Sequence, residues 1–218
     1  MMKIKNIIIT IFILLLLMSS KSSYKIALLK YNGGGDWYSN PTSLKNLIKF
    51  SNTNLNLNIN PKYDIVEPSS LKLFNYPYIY MTGHGNVYFS DAECENIKNY
   101  LLGGGFLHID DNYGLDKYIR KEIKKIFPLN DLIEIPNSHK IYNQIYKFEN
   151  GLPKIHEHDN KPPKGYGIFI DNRLVCYYSF ESDLGDGWEN REVHNNSENI
   201  RILALKMGCN ILSYAFTH

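Results

Sequence analysis

Apolar runs alternate with amphipathic stretches along most of the chain, an order that predicts an α/β domain on a mostly parallel sheet. Residues 24–31 (YKIALLKY) read as a first strand, ended by Asn32-Gly-Gly-Gly-Asp36. Pro41-Thr-Ser-Leu44 then opens a helix to about residue 50, with Leu44, Leu47 and Ile48 on one face. Leu55, Leu57 and Ile59 alternate with Asn, which predicts a half-buried second strand stopped by Pro61. A third strand, residues 76–81, runs into Thr82-Gly-His-Gly-Asn86. Ser90-Asp-Ala-Glu93 has the spacing of a capping box and predicts a helix through residue 102, ended by Gly103–Gly105. A fourth strand over 106–110 leads through Asp111-Asn-Tyr-Gly114 into a basic helix, 115–127, stopped by Pro128.

The pattern weakens over 129–164, where 141–148 fits either a helix or a strand and 153–163 reads as a loop. Residues 167–170 and 174–179, split by Asp171-Asn-Arg173, predict a hairpin. A Gly/Asp loop over 181–190 and a terminal helix over 197–215 complete the chain. The fold expected is an α/β three-layer sandwich with a mostly parallel sheet, a single domain over 24–218.

The first 23 residues stand apart. They hold Lys3, Lys5 and Lys21 and no acid, and an apolar run from 7 to 18 is broken only by Thr10. A basic start, a twelve-residue stretch that is apolar but for Thr10, and the serines 19, 20, 22 and 23 read as a secretory signal peptide, with Ser20 and Ser22 at −3 and −1 of one cleavage site. The alternative is an uncleaved anchor that includes the flanking residues, which would be the chain's one membrane contact; the run itself is short of the roughly 20 residues of a spanning helix. The expected location is therefore periplasmic or extracellular. The leader also changes the charge. The whole chain carries 24 Lys+Arg against 22 Asp+Glu, but without the leader 21 face 22, a net −1. No excess of basic residues remains to support a nucleic-acid-binding patch, and nucleic acid is not expected as a partner.

Candidate chemistry gathers in four loops, 33–38, 83–86, 110–114 and 182–188, each after a predicted strand. Ligands of open α/β sheets bind at the carboxyl edge of the strands, so parallel strands would bring these loops to one crevice. Gly33, Gly34 and Gly35 could present backbone N–H groups to a polar ligand. Asp36 supplies a carboxylate, and Trp37, Tyr38 and Trp188 are aromatic surfaces for a flat or sugar-like group. His84 sits in a glycine turn with Asn86 beside it, and Asn112, Asp183 and Asp186 add hydrogen-bonding groups. Asp110 and Asp111 are adjacent, so on a continuing strand they point to opposite faces: one caps the next helix while the other faces the crevice.

Other signals are weaker. His156-Glu-His158-Asp159 has ligand-like spacing but no visible third ligand, so no metal or other cofactor is expected. The 182–188 loop lacks the spacing of a calcium-binding EF-hand. His108, inside a buried strand, reads as a core histidine. Cys94, Cys176 and Cys209 read as buried small hydrophobes, without C-x-x-C; a Cys176–Cys209 bridge is the alternative. There is no G-x-S-x-G elbow, and no cysteine in a strand-to-helix turn.

Four motifs in order carry a family resemblance: Leu29-Lys-Tyr-x-Gly-Gly-Gly-Asp-Trp37, Tyr80-Met-Thr-Gly-His-Gly85, Gly103-Gly-Gly-Phe-Leu-x-x-Asp-Asp-Asn-Tyr-Gly114 and Asp183-Leu-Gly-x-Gly-Trp-Glu189. With Met207-Gly-x-Asn210, they identify the chain from Tyr24 onward as similar to the bacterial domain of unknown function 4159 family. The resemblance implies a class I glutamine amidotransferase-like fold, with a mostly parallel, flavodoxin-like sheet. Active enzymes of that fold carry a Gly-x-Cys-x-Gly elbow after a central strand. The matching segment here, Asp110-Asp-Asn-Tyr-Gly114, has no thiol, so thiol-dependent glutaminase activity is not expected.

The expectation is an exported domain that binds a polar small molecule, a glycan or a peptide end at the carboxyl edge of its sheet. Two alternatives stand beside it: a hydrolase using Asp111 with His84, and a scaffold protein of the cell envelope.

Overall fold

The computed structural model describes residues 23–218 except Asn56 and Asp159; the expected leader lies outside the described residues but for Ser23. Seven strands form one sheet: β1 (Ile26–Leu29), β2 (Asp64–Val66), β3 (Tyr78–Gly83), β4 (Phe106–Asp111), β5 (Ile133–Glu134), β6 (Lys164–Ile170) and β7 (Arg173–Phe180), in the order β2-β1-β3-β4-β7-β6-β5. The first five in that order are parallel, and β6 pairs antiparallel with both β7 and β5. The parallel part runs 2-1-3-4 with β7 in fifth place, a doubly wound order whose direction of growth reverses between β1 and β3.

Alternation along the strands sorts the apolar side chains into two layers. Ile26, Leu28, Tyr78, Tyr80 and Phe106 pack with α1 (Ser43–Leu55) and the long terminal helix, Glu198–Thr217. Ala27, Leu29, Ile79, Met81, Leu107 and Ile109 pack against α2 (Asp91–Leu102) and α3 (Asp116–Ile126). Three layers result, as the alternating pattern predicted. Two short helices, α4 (Leu184–Trp188) and α5 (Arg191–His194), follow β7, and the terminal helix is α6. No described helix is long and apolar enough to cross a membrane.

Local signals explain several boundaries. Ser90 and Glu93 form the reciprocal capping box at the start of α2. The β6–β7 turn holds Asp171 and Asn172 at φ 48° and 64°, the left-handed pair a two-residue hairpin needs. The predicted second strand at 55–59 is a correction. The helix continues to Leu55, Ile59 makes only an isolated bridge with Tyr24, and the strand beside β1 is Asp64–Val66. The helix takes up the first of the predicted strand residues, and Asn52 ties the segment back to it: its side chain bonds the N–H and C=O of Ile59, at 3.0 and 2.8 Å, while Tyr24 pairs only with Asn58 O and Asn60 N. The ambiguous 141–148 stretch is a single 3-10 turn, Lys140–Tyr142, and the 181–190 loop contains α4. All three cysteines are free and buried, so the alternative Cys176–Cys209 bridge is absent.

Helix α1 has its N-terminus satisfied from across the chain. The buried Glu189 carboxylate accepts from Thr42 N at 2.8 Å, Ser43 N at 2.9 Å and Thr42 Oγ1 at 2.8 Å. Removing a buried acceptor leaves those donors unpaired, at about 1–3 kcal/mol for each group that water cannot reach. Glu189→Ala should therefore lower the urea-unfolding free energy by about 2–3 kcal/mol; a loss below about 0.5 kcal/mol, typical of an inconsequential surface change, would contradict this tie.

Candidate functional site

Strands β1, β3, β4 and β7 are all parallel, so the four loops leave the same edge of the sheet. Hydrogen bonds join them. Asn112 Nδ2 donates to Ser39 Oγ at 3.1 Å and Asn40 Oδ1 at 2.7 Å, and Thr82 Oγ1 donates to Asn112 Oδ1 at 3.1 Å. Asn40 Nδ2 in turn donates to Asp186 Oδ1 at 3.1 Å.

Asp110 is the buried centre of this edge. Its Oδ1 accepts from Ser179 Oγ at 2.5 Å and from Leu184 N at 3.3 Å, while Oδ2 accepts from Gly185 N at 2.6 Å and Tyr80 OH at 3.1 Å. Burial raises its pKa to about 6, although the bonds from Ser179, Gly185 and Tyr80 favour the charged form. Asp111 points to the opposite face, as alternation requires. Its Oδ1 takes the N–H groups of Tyr113 and Leu115 in the turn before α3, and Oδ2 takes Tyr178 OH at 2.9 Å.

Thus Asp111 fixes the turn that leads into α3, whose N-cap residue Leu115 has no side-chain cap, and is not paired with His84. The imidazole of His84 instead meets Asp36, with Nδ1 3.0 Å from Oδ2, while His84 N donates to Oδ1. This exposed pair sits between the ends of β1 and β3, the point where the strand order reverses.

The glycines serve another purpose than expected. A Cβ on Gly33 would lie 2.7 Å from Tyr88 N, and one on Gly35 would lie 2.6 Å from Asn86 O. They allow two loops of the chain to touch, with Gly35 N donating to Asn86 O at 2.9 Å. Gly34 faces open space. Tyr38 is exposed, and Trp37 is half-buried against both apolar layers. Trp188 is a correction. It is fully buried, donates Nε1 to Ala204 O at 2.9 Å and packs on Tyr80, so it cannot stack on a ligand in the crevice.

Residues 153–158 fold over the end of β7, where Ser182 O accepts from Ile155 N at 2.9 Å. This brings His158 Nε2 to 2.5 Å from Asp183 Oδ2 and His156 Nδ1 to 3.1 Å from Asp186 Oδ2. His194, at the end of α5, places Nε2 3.4 Å from Asp186 Oδ1. The structure thereby supplies carboxylates and a third imidazole to a His pair that seemed to lack a third ligand. Asp183 itself is in the left-handed region at φ 58° and almost wholly buried. Burial, then the charges of Asp110, Asp186 and Asp111, push its pKa up to about 9. Burial lowers the pKa of His158, aided by His156, which favours its neutral form.

Beside this cluster a cleft of about 450 Å³ is bordered by Asp111, Tyr113, Lys117, Tyr118, Phe180 and Glu181, among others. Tyr113 belongs to both places: it is in the left-handed region at φ 86°, and its ring stacks on His158 with centroids 4.6 Å apart. Sequence reasoning passed over His194, Lys117 and Glu181. None lies in a motif: Lys117 and Glu181 border the cleft beside their chain neighbours Tyr118 and Phe180, and His194 reaches Asp186 from α5.

Beneath the edge, His108 is a satisfied core histidine, with Nδ1 2.8 Å from Tyr78 OH and Nε2 3.0 Å from Ser179 Oγ. Burial drives its pKa from 6.5 to about 3. The unfolded chain therefore takes up a proton near pH 6.5 that the folded chain refuses, so this stability is whole above pH 6.5 and drains as pH falls toward 3. In urea unfolding, the wild type should lose about 1.5 kcal/mol more than His108→Gln between pH 6.5 and 5; parallel pH profiles would contradict the assignment.

A search of the curated proteins finds no match. A family model, Domain of unknown function (DUF4159), matches residues 25–216 and so spans nearly the whole described structure. The chain belongs to the DUF4159 family.

Proposed function

We propose that this protein is an exported binding domain with an amidotransferase-like sheet and no thiol nucleophile, which takes a polar small molecule, a glycan or a peptide end at the carboxyl edge. The observation that carries the reading is the cleft beside Tyr113. Its border alternates acids (Asp116, Glu181), cations (Lys117, Lys161) and aromatic rings (Tyr113, Tyr118, Phe180), within a volume suited to a small ligand. Such a surface offers hydrogen bonds of both polarities and apolar faces, the mixture that hydroxylated or zwitterionic molecules need. The amidotransferase-like reading draws support from the turn between β4 and α3. Its Tyr113 is in the left-handed region, the kind of strained strand-to-helix corner on which nucleophile elbows are built. Here that corner carries no cysteine. Export rests on the basic and apolar residues 1–23.

A hydrolytic reading has one observation in its favour. A carboxylate that orients an imidazole is the arrangement of a general base, and Asp36 holds His84 in this way at the reversal of strand order. No nucleophile accompanies the pair in the sequence motifs, so binding is the better-supported activity.

The test is a thermal-shift screen of residues 24–218 against sugars, amino acids and short peptides. A ligand should raise the melting temperature in a dose-dependent way. The double variant Lys117→Glu/Tyr118→Ala should keep the unliganded melting temperature within a few degrees and lose the response. An unchanged response in that variant would remove the cleft from the proposal.

A further inference from the structure

The imidazoles around Asp183 and Asp186 are not accounted for by ligand binding in the cleft. Three of them, from two separate segments, converge: His156 and His158 have ring centroids 4.8 Å apart, and His156 and His194 6.1 Å apart. Ion pairing alone explains this poorly, because imidazoles that were all protonated would repel at such range. Pairing with His158 also leaves half of its partner unsatisfied. Asp183 Oδ1 is buried and has no hydrogen-bond partner among the described residues, while Oδ2 alone meets His158. A buried carboxylate oxygen without donor or cation is costly, and this carboxylate faces the further acids Asp110, Asp111 and Asp186.

One nitrogen each from His156 and His158 and one oxygen from Asp183 lie within 4.8 Å of one another. A second set, His156, Asp186 and His194, meets the same limit and shares His156. Donors around a tetrahedral zinc ion at about 2.0–2.1 Å stand roughly 3.3 Å apart, so the present spacing needs only small side-chain movements to close on an ion. The surrounding bonds would hold the ligands in place. Asn40 donates to Asp186 Oδ1, and the chain carrying the histidines is tied through Ile155 N to Ser182 O.

We propose that His156, His158 and Asp183 bind one divalent transition-metal ion of the zinc class, with Asp186 and His194 at its margin. Two imidazoles and a carboxylate suit zinc, cobalt or nickel better than calcium or magnesium, which take oxygen ligands. Three protein ligands leave a coordination position for water or for a ligand's polar group, as in zinc sites that act on bound molecules. The inference stands apart from cleft binding, because metal uptake is measured with no organic ligand present.

The experiment titrates chelator-treated protein, residues 24–218, with Zn²⁺ and Co²⁺ by calorimetry and by the visible absorption of bound cobalt. One equivalent should bind, with an intense cobalt spectrum and a raised melting temperature. His156→Gln and His158→Gln should each weaken binding at least tenfold while leaving the circular dichroism spectrum unchanged, whereas His139→Gln, outside the cluster, should bind like wild type. Because the side chain of His156 is half exposed, its replacement does not threaten folding. Failure of wild type to bind either ion, equal binding by His156→Gln, or binding of Ca²⁺ and Mg²⁺ in preference to zinc would each overturn the proposal.

Discussion

The carboxylate of Asp110 is the joint between the sheet and everything that lies on its carboxyl edge. It is wholly buried at the end of the central strand, and it gathers Tyr80 from β3, Ser179 from β7 and the first amides of α4. A charge in that position is tolerable because four donors point at it, and each of those donors belongs to an element that must then stay where it is. The position of α4 follows, and with it Asp183, Asp186 and the buried Trp188. Glu189, just beyond, ties the same helix to the start of α1. Two acids thus lock the loop after β7 onto the sheet and onto a neighbouring helix.

That lock has an electrostatic consequence. Asp110, Asp183 and Asp186 are buried within one another's field, and Asp111 adds to it from the other face of the strand. Like charges at such range destabilise one another unless something positive or protonated intervenes. Lys154 faces Glu181 at 3.1 Å and lowers the strain on Asp183 only in part. The histidines of 153–158 and of α5 arrive where the imbalance is greatest. A cation among them and a polar ligand in the adjoining cleft would both draw on the same edge, with Tyr113 in contact with each.

Much of this was legible in the sequence because it follows from local rules. Alternation alone required Asp110 and Asp111 to face opposite sides, and the spacing of Ser90 and Glu93 announced the start of α2. The convergence of four loops followed from reading their strands as parallel. Other features depend on partners distant in the chain. Asn52, on α1, ties Ile59 back to the helix, and nothing in the spacing of Leu55, Leu57 and Ile59 reveals that tether or the helix that runs on to Leu55. Trp188, in a glycine-rich stretch, read as a ligand platform. The stretch is instead a buried helical turn, and Gly208 gives the indole room, since a Cβ there would come within 2.8 Å of it. His156 and His158 were visible as a pair, but their carboxylates come from residues more than 20 positions away and His194 from a separate helix.

On the metal-site proposal, the acids at the carboxyl edge hold a positively charged partner through imidazole and carboxylate ligands. The most direct measurement is an anomalous-difference map from crystals grown with zinc, collected on both sides of the zinc absorption edge. A single peak is expected about 2.0–2.2 Å from donors of His156, His158 and Asp183. A map with no peak there, and with Asp183 Oδ1 hydrogen-bonded to ordered water instead, would contradict it.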